Sequence, residues 1–562
     1  MVRKHKTIAM GLALSLLTSL APLSGFAQEE AQTVNLALGK SYTLTTPYQP
    51  DRMFGNLENS HPDDTGNQLT DGVYGGTAFS NKAFIGRIWQ GSRNVVLDLG
   101  DSATIQEISL NVLQDIPVGI FFPEKISYSI SQNGVAWEDA GTVTSSYPST
   151  APGQITQKYT LSGINKVARY VQLNIDVETW LFMDELEVLG TWDRSGDRLI
   201  PSANGPKQVK GYPTPGSEQT GGIHNQVLIY TGEWQYQPSD WISFKKEDYL
   251  PYVSYVDENQ ERKDFMFDGF LFLPYGPLMD GANYGSTAKP TNKGHFEKFL
   301  DRLFRDNYEL GALNEAVKEA KAELPDKNYE AKVVIAIPLP RVEQSDFGDV
   351  DGDGISENLN VKEIGEEASL VNRKKVVEWY VDEVYRRWEE AGYSDLKLVS
   401  FYWYNEYVGE QHSETEDELI QFTGDYVRSK GAKLQWIPYY FARGWNDWKK
   451  NGFDSALIQP NYFFHNTGED RLDTILQAAY DHGLGIEIEL SDAVLTNPAS
   501  REKYYSYLNK GREYHAMVQS YSGFYQQVKT LLRASQSADP AAREVYDRTY
   551  EYLKGTYQPQ GH

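Results

Sequence analysis

The sequence contains no cysteine among its 562 residues. A chain of this length without disulfides must be held together by its hydrophobic core, with or without bound metal ions. Basic residues are also scarce, since 53 Lys and Arg stand against 78 Asp and Glu and the formal net charge is −25. Such a field repels the phosphates of nucleic acids and anionic membranes, so neither is an expected partner.

Long hydrophobic runs are missing except at the N-terminus. Residues 1–27 combine a basic start with an apolar stretch over residues 8–20 and two small residues, Gly25 and Ala27. This pattern predicts a signal peptide cleaved before Gln28, because an N-terminal membrane anchor, the alternative, needs a longer apolar run. The sequence therefore predicts a secreted, extracellular protein without membrane insertion. Its charge would be −28, which is −25 minus the three positive charges of the signal peptide.

Aromatic residues, in contrast, are abundant. They make up 13% of the chain and include 38 Tyr and 12 Trp. Tyr and Trp rings stack on the apolar faces of sugars, although they also fill protein cores. Composition therefore favours a carbohydrate-binding protein, and the length indicates more than one domain.

Residues 33–191 have the pattern of an all-β domain. Short alternating runs such as "NVVLDLG", "IQEISLNVL", "KISYSIS" and "RYVQLNI" are separated by turns rich in Gly, Asn, Pro and Ser. Such spacing is typical of a β-sandwich. Residues 192–222, which are rich in Pro, Gly and Ser and show no periodicity, are predicted to be a linker.

Four motifs in this segment carry a family resemblance. "NLALGKSY", "LTDGVYGG", "ISYSISQNGVAWEDAG" and "DELEVLG" resemble the opening strand, early loop, central hairpin and closing strand of the discoidin domain, also called the coagulation factor V/VIII type C domain. The resemblance implies a jelly-roll sandwich that serves as a carbohydrate-binding module. It also implies a structural calcium ion with Asp71 and Glu185 as side-chain ligands. The alternative for Asp71 is turn chemistry, because Asp-Gly is a common turn pair.

From residue 223 to residue 562, apolar β-runs alternate with amphipathic helical stretches. This alternation indicates parallel βαβ units, and eight of them predict a (β/α)₈ TIM barrel. The active site of that fold lies at the C-terminal ends of the strands. The predicted strands span residues 227–232, 267–274, 332–340, 396–406, 433–440, 455–462, 484–490 and 516–523.

Carboxylates follow two of these strands. The fourth strand, "LKLVSFYWYNE", ends on Asn405 and Glu406, and the seventh, "GIEIEL", alternates Glu487 and Glu489 with apolar residues. Alternate residues of a barrel strand face the interior, so both glutamates are predicted to point inward with Glu489 nearer the mouth. A carboxylate buried there is costly unless it is paired or used. Glu406 and Glu489 are therefore candidate catalytic residues.

Glu487 lies one layer deeper and is a candidate substrate-binding residue. Its alternative role is structural, as a partner of Arg341, Lys332 or a tyrosine.

Two carboxylates that face each other across a barrel mouth are the groups that glycosidic bond cleavage requires. The arrangement resembles the clan A retaining glycoside hydrolases, which carry Asn-Glu after strand four and Glu after strand seven. The resemblance implies that Glu406 is the acid/base, that Asn405 binds the 2-substituent of the sugar and that Glu489 is the nucleophile. An inverting hydrolase with the same carboxylates and a non-catalytic glycan-binding adhesin remain alternatives.

Other candidate substrate-binding residues surround the predicted mouth. They are Tyr404, Tyr439, Asn461, Tyr462 and His465. Further aromatic residues form either sugar-stacking subsites or core, namely Trp403, Tyr407, Tyr440, Trp445 and Tyr521. Asp268, early in strand two and far from the mouth, is predicted to be structural.

The segment "DFGDVDGDGISENLN" after strand three resembles the first half of a calcium loop. Asp349, Asp351 and Asp353 alternate before Gly354, and Glu357 takes the ninth position. The twelfth position is Asn360 where such loops carry a bidentate Glu. The pattern predicts a structural calcium ion, and a solvated acidic loop is the alternative. No organic cofactor is expected.

The region from residue 223 onward also resembles a bacterial family catalogued as domain of unknown function 4855, through "FMFDGFLFLPYG" and "FYWYNEYV". That resemblance implies no particular chemistry. Together these observations predict a secreted, monomeric glycoside hydrolase that acts on a polysaccharide.

Overall fold

The computed structural model describes residues 32–46, 57, 60–88, 92–147, 151, 153–199, 211–234, 236, 241–285, 289–408 and 413–559. The predicted signal peptide lies outside these ranges. An N-terminal all-β sandwich is followed by a closed barrel of eight parallel strands, which confirms the predicted fold class. No helix within the described ranges is long and apolar enough to cross a membrane.

Nine strands are described in the sandwich, and their buried and exposed residues alternate. In the fifth strand, Ile126, Tyr128 and Ile130 are buried in the core while the residues between them are partly exposed. Six strands follow the order β1-β8-β4-β7-β5-β6, and β2, β3 and β9 pair with β4, β8 and β7. The strands are β1 (Val34–Asn35), β2 (Tyr42–Thr45), β3 (Ile85–Ile88), β4 (Ser92–Asp115), β5 (Lys125–Ser131), β6 (Trp137–Thr144), β7 (Gln154–Asp176), β8 (Trp180–Thr191) and β9 (Asp197–Arg198).

Eight parallel strands close the barrel, because the first strand pairs with the last as well as with the second. A two-stranded hairpin, β11 (Ser254–Val256) with β12 (Arg262–Phe265), lies outside this ring. The barrel strands are β10 (Asn225–Gly232), β13 (Gly269–Tyr275), β14 (Ala331–Ile337), β15 (Leu396–Trp403), β16 (Lys433–Trp436), β17 (Ser455–Ile458), β18 (Gly485–Glu489) and β19 (Ser522–Tyr525).

Twelve helices are described between and after the barrel strands. The longest begins and ends at glycines with positive φ, Gly365 and Gly392. The helices are α1 (Lys246–Val253), α2 (Lys293–Leu303), α3 (Glu309–Glu323), α4 (Val361–Ile364), α5 (Glu366–Ala391), α6 (Glu416–Ser429), α7 (Asp470–His482), α8 (Ala493–Thr496), α9 (Pro498–Glu513), α10 (Ala516–Gln519), α11 (Thr530–Ser535) and α12 (Pro540–Leu553).

The eighth strand differs from its prediction over residues 516–523. Its first four residues form the short helix α10, and the strand begins only at Ser522. His515 takes a left-handed backbone conformation that starts the helix, and Val518 is exposed on it. The apolar residues Ala516, Met517 and Val518 therefore form a helical turn. Over so few residues, hydrophobic periodicity cannot distinguish a helical turn from a strand.

The barrel interior has its own apolar cluster, separate from the core between strands and helices. Leu228, Leu271, Val334, Leu457 and Tyr521 belong to this inner cluster. Ile486 and Ile488 pack outward against the helices, so the glutamates between and after them face inward, as the alternation predicts.

The structure describes residues 192–199 and 211–222 of the predicted linker. Asp197–Arg198 pairs in parallel with β7. Tyr212 is buried against α7, where its hydroxyl donates to the Leu476 carbonyl at 3.2 Å. Glu218 forms an ion pair with Lys433 at the start of β16, at 3.0 Å.

Candidate active site

Glu406 lies three residues past the end of β15, in a segment that backbone hydrogen bonds hold against two neighbouring strands. The Tyr404 amide donates to the Ile337 carbonyl at 3.2 Å, and the Tyr439 amide donates to the Glu406 carbonyl at 3.1 Å. The indole of Trp436 adds a bond to the Asn405 carbonyl at 2.8 Å. The catalytic candidate is therefore held by strands on both sides and is not part of a freely projecting loop.

The Glu406 carboxyl is a group that titrates near neutrality. Burial raises its pKa to about 7, and the charge of Glu489 adds to the rise, while a hydrogen bond with Gln459 opposes it. A carboxyl group with this pKa can hold a proton at neutral pH and give it up when a base is needed. These are the two tasks of an acid/base residue.

Glu489 is 3% exposed, and three donors point at its carboxyl oxygens. The Tyr507 hydroxyl donates to Oε2. The Asn461 amide donates to Oε1 at 3.1 Å, and the Phe463 amide to Oε2 at 3.3 Å. Burial raises the pKa of Glu489 above its ordinary value, and these donors and the charge of Arg471 reduce that rise. Because an ionised carboxylate only accepts hydrogen bonds, these three donors suit the charged form.

The loop after β17 supplies this shell through its backbone. Asn461 has a left-handed conformation with φ 51°. Its carbonyl accepts a hydrogen bond from Arg471 Nη1 at 2.7 Å while its amide faces Glu489. The guanidinium of Arg471 in turn lies over the ring of Tyr440 at 4.4 Å. The turn is therefore fixed on both sides, and the Glu489 carboxylate with it.

Glu487 is as buried as Glu489 but is placed differently. Burial raises its pKa well above the ordinary value, and the charges of Glu489 and Glu406 add to the rise. The cations that the sequence suggested as partners pair elsewhere, Lys332 with Asp268 and Arg341 with Glu343. Burial away from both predicted cations favours the neutral form of Glu487, so the three carboxyl groups of the mouth are in three different electrostatic environments.

The predicted substrate-binding tyrosines differ in burial: Tyr439 and Tyr404 are partly exposed, whereas Tyr462 is buried. Tyr439 is half-buried, and its ring stacks on Tyr407 with the centroids 5.5 Å apart. Tyr404 is partly buried and packs with the inner cluster of the barrel. Tyr462 is buried against Tyr507, with ring centroids 5.6 Å apart, and so supports the tyrosine that contacts Glu489. The backbone carbonyl of His465 accepts a hydrogen bond from Lys503 at 2.5 Å.

Asn405 and Asp268 are engaged within the protein. The amide nitrogen of Asn405 donates to the Tyr407 carbonyl at 2.8 Å and to Glu416 Oε1 at 3.0 Å. Neither of these bonds uses Oδ1 of Asn405, which is a hydrogen-bond acceptor. Asp268 binds the His224 ring nitrogen Nδ1 at 2.8 Å and lies near the beginning of the strands, in keeping with a structural role.

Four other aromatic residues considered as sugar platforms are buried in the core. They are Trp403, Tyr440, Trp445 and Tyr521. Trp403 packs outward against the helices, as the strand alternation indicates.

Sequence reasoning missed an aromatic wall that lies beside Glu489. Tyr525 is the register partner of Glu489 on the neighbouring strand. The rings of Tyr230, Tyr275 and Trp234 continue from it, with successive centroids 6.1, 4.8 and 5.7 Å apart. Phe464, which is 46% exposed, packs against Tyr525 on the other side. Tyr275 and Tyr525 end strands two and eight, and Tyr230 lies two residues before the end of strand one, positions that should have marked them.

Tyr507 and Arg471, which hold Glu489, were also missed. They lie on helices α9 and α7, far along the chain from the glutamate, and nothing in the local pattern separates them from other helix residues.

The acidic loop after β14 brings three carboxylates together. Ligand oxygens of Asp349, Asp351 and Asp353 all lie within 4.8 Å of one another. The two oxygens of Asp349 accept the Gly352 and Gly354 amides, at 2.6 and 2.9 Å. These residues fit a calcium ion, which prefers carboxylate oxygens.

Lys375, Glu357 and Asn360 determine which groups of this loop could contact a cation. Lys375 Nζ lies 2.7 Å from Asp351, where it neutralises part of the charge. Glu357 is buried and accepts the Val350 amide at 2.9 Å, whereas the Asn360 side chain caps helix α4 at the Lys362 amide. Glu357, at position nine of the calcium pattern, therefore contacts the acidic loop, whereas Asn360, at position twelve, is used as a helix cap.

The Asp-Gly loop of the sandwich also fits a cation. Glu185 is 1% exposed and its Oε2 accepts the Gly72 amide at 2.9 Å. Burial raises the pKa of Glu185 to about 7, helped by the charges of Asp71 and Glu187. Its other oxygen is buried without a hydrogen-bond partner among the described residues. A buried carboxylate oxygen without a donor beside a second carboxylate is an arrangement that a calcium ion would satisfy.

Two of the solved structures that are similar to part of this chain are small modules. One is chitosan-binding module 1 of a chitosanase/glucanase from Paenibacillus sp. IK-5, 18% identical, covering 28% of this chain and 99% of that chain with a TM-score of 0.19. Another is a fucose binding module of Streptococcus pneumoniae, 14% identical, covering 28% of this chain and 96% of that chain with a TM-score of 0.20. Similarities at this level do not establish what this chain binds.

No curated protein sequence matches the chain. A family model does match, over residues 225–551, which is more than half of the chain and the whole of the barrel. The chain therefore belongs to the family described as domain of unknown function DUF4855.

Proposed function

We propose that this protein is a secreted glycoside hydrolase that cleaves a polysaccharide by a two-carboxylate, retaining mechanism. The observation that carries the proposal is the contrast between its two mouth carboxyl groups. Glu489 is surrounded by donors that suit its ionised form, while Glu406 has a pKa of about 7. A pair of carboxyl groups with separated roles at the C-terminal end of a barrel is the arrangement that glycoside hydrolysis needs.

In the first step, the Glu489 carboxylate attacks the anomeric carbon while Glu406 donates its proton to the departing glycosidic oxygen. The carbon–oxygen bond breaks, and a glycosyl ester with Glu489 forms. In the second step, Glu406, now ionised, takes a proton from water, whose oxygen attacks the same carbon and releases Glu489. The Tyr507 hydroxyl and the two amides hold the Glu489 oxygens in place before each step and receive them back as a carboxylate.

The aromatic wall provides the binding surface. Tyr525, Tyr230, Tyr275 and Trp234 line the side of the mouth next to Glu489, and sugar rings stack on such surfaces. Tyr439, stacked on Tyr407, contacts the Glu406 carbonyl through its backbone amide and belongs to the opposite side. A sugar held between these two sides would lie between the two carboxyl groups.

The sandwich is proposed to hold glycan for the barrel, with a calcium ion at Asp71 and Glu185. A second calcium ion at Asp349, Asp351 and Asp353, completed by Glu357, would hold the long loop after β14 in one conformation. In neither place does the ion take part in the reaction.

Two isosteric variants test the mechanism on a panel of aryl glycosides and polysaccharides. Glu406→Gln should lower turnover of natural glycans by at least about a hundredfold, because a general acid contributes roughly 10²–10⁴-fold. It should spare aryl glycosides with good leaving groups, which depart without a proton. Glu489→Gln should lower activity on both. Glu319→Gln on the outer helix α3 controls for loss of a carboxylate, since it pairs with Lys246 at the surface.

A Glu489→Gln protein that cleaves a glycan as fast as wild type would show that the assignment is wrong. Nuclear magnetic resonance of the first product separates the two stereochemical outcomes. Retention of the anomeric configuration supports a covalent intermediate on Glu489, and inversion assigns Glu489 the role of base for water.

A further inference from the structure

A cavity of about 270 Å³ lies where the sandwich meets the barrel. The sandwich contributes Phe122, Glu124, Tyr147 and Glu178 to its wall, and the barrel contributes Asp417 and Arg443. Ligand sites form preferentially at such junctions, because two domains there supply different chemistry to one space.

Charged contacts fix the two walls relative to each other. Lys125 at the start of β5 pairs with Asp447 of the barrel. Arg443 approaches Glu124 at 3.5 Å across the same junction. The cavity is therefore shaped by a docked interface and is not a gap between independent domains.

The barrel residues of the cavity lie at the same end of the barrel as the catalytic mouth. Asp417 follows Glu416, whose carboxylate accepts the Asn405 amide nitrogen at 3.0 Å. Arg443 lies four residues after Tyr439, whose amide donates to the Glu406 carbonyl. Asp417 lies in the first turn of α6 after β15, and Arg443 lies in the segment after β16, so both belong to the end of the barrel at which Asn405 and Glu406 are held.

An aromatic surface lines one side of the cavity. The rings of Phe122 and Tyr147 lie 5.6 Å apart at an angle of 32°, and Tyr147 is 42% exposed. A large ring held at a cavity wall with part of its surface open suits the apolar face of a sugar ring.

The charges of the cavity select among sugars. Glu124, Glu178 and Asp417 surround one guanidinium, that of Arg443, and Glu414 adds a fourth carboxylate. One oxygen of Asp417 is buried without a hydrogen-bond partner among the described residues. This surplus of negative charge repels uronic acids and sulfated sugars, and it favours a ligand that brings a positive charge and several donors.

We propose that the junction cavity is a subsite for an amino-sugar residue with a free ammonium group, in a chain whose cleavage point lies between Glu406 and Glu489. The sugar ring packs on Tyr147, and its ammonium group interacts with Asp417 and the neighbouring glutamates. The proposal deepens the proposed function and rests on it only for the position of the cleavage point.

The test compares a fully deacetylated glucosamine hexamer with its N-acetylated counterpart, by titration calorimetry on the full chain carrying Glu489→Gln to prevent turnover. The deacetylated hexamer should bind about tenfold more tightly, a difference of about 1.4 kcal/mol. Tyr147→Ala and Asp417→Asn should each weaken its binding by about tenfold.

Matched variants control for unrelated effects. Asp425→Asn removes an exposed carboxylate from the same helix as Asp417, and Tyr480→Ala removes a ring that is 38% exposed, packs on Tyr212 and does not line the cavity. Both should bind the hexamer as the parent does. Melting temperatures verify that every variant is folded.

Equal affinity for the two hexamers, no binding of either, or full affinity in both cavity variants would overturn the proposal. Each of these results is independent of catalysis. A protein that binds the deacetylated hexamer through Tyr147 and Asp417 yet cleaves no glycan would keep the subsite and refute the hydrolase.

Discussion

The hydrogen bond from Tyr507 to Glu489 gives the sharpest test of the catalytic site. Burial and the charge of Glu489 hold the pKa of Tyr507 well above its ordinary value, so its hydroxyl keeps its proton and donates. Tyr507→Phe removes this donor while leaving the ring that packs on Tyr462. The two backbone amides from Asn461 and Phe463 remain.

A hydrogen bond to a charged group is worth about 1.5–3 kcal/mol. One pKa unit corresponds to about 1.4 kcal/mol, so its loss should raise the pKa of Glu489 by about one to two units. A higher pKa leaves less of the nucleophile ionised at a given pH. The acidic limb of the pH profile should therefore move to higher pH by the same one to two units, and activity in mildly acidic buffer should fall.

The measurement is kcat/KM against pH on an activated aryl glycoside that the wild type cleaves, because such a substrate does not depend on the proton of Glu406. Tyr504→Phe is the matched control, since Tyr504 lies on the same helix and its buried hydroxyl bonds Thr549 at 2.6 Å, away from the carboxylates. It should cost about 1 kcal/mol of stability and leave the acidic limb in place. If Tyr507→Phe loses stability in the same way but keeps the wild-type limb, Glu489 is not the group that must be ionised.

Two further predictions concern calcium and stability. In calcium titrations of chelator-treated protein, Asp351→Asn should bind fewer ions than wild type and lose part of the rise in melting temperature that calcium produces; equal ion numbers would contradict the loop site. Glu309, which is 0% exposed, has its pKa raised to about 8 by burial. Because this folded-state pKa lies above the unfolded value, the stability linked to Glu309 is complete below about pH 4 and is lost as the pH rises through about 8. The melting temperature should therefore decrease between about pH 5 and about pH 9, and this decrease should be smaller in Glu309→Gln than in wild type. Parallel falls would show that Glu309 does not titrate in this range.

Several features of this protein can be predicted from the sequence because they depend on neighbours along the chain. A strand buried on both faces reads as a continuous apolar run, and "GIEIEL" departs from that pattern at two glutamates, which marks their inward orientation. The alternation of such runs with amphipathic helices indicates the barrel, and the barrel in turn assigns the mouth to the residues that follow each strand. The eighth strand was misplaced because four residues cannot distinguish a strand from a helical turn.

What only the tertiary structure decides is the state of each carboxyl group. Glu487 and Glu489 lie two residues apart on one strand and are equally buried, so the local sequence treats them alike. Glu489 meets Tyr507 from α9 and the loop that Arg471 fixes, while Glu487 faces the charges of its neighbours with neither predicted cation beside it. The exposure of each tyrosine and tryptophan is likewise decided only by the tertiary structure. Packing between distant segments determines whether a ring fills the core or lines a site. Burial and hydrogen-bond donors shift a pKa through space, and the residues that supply them are separated along the chain by whole strands and helices.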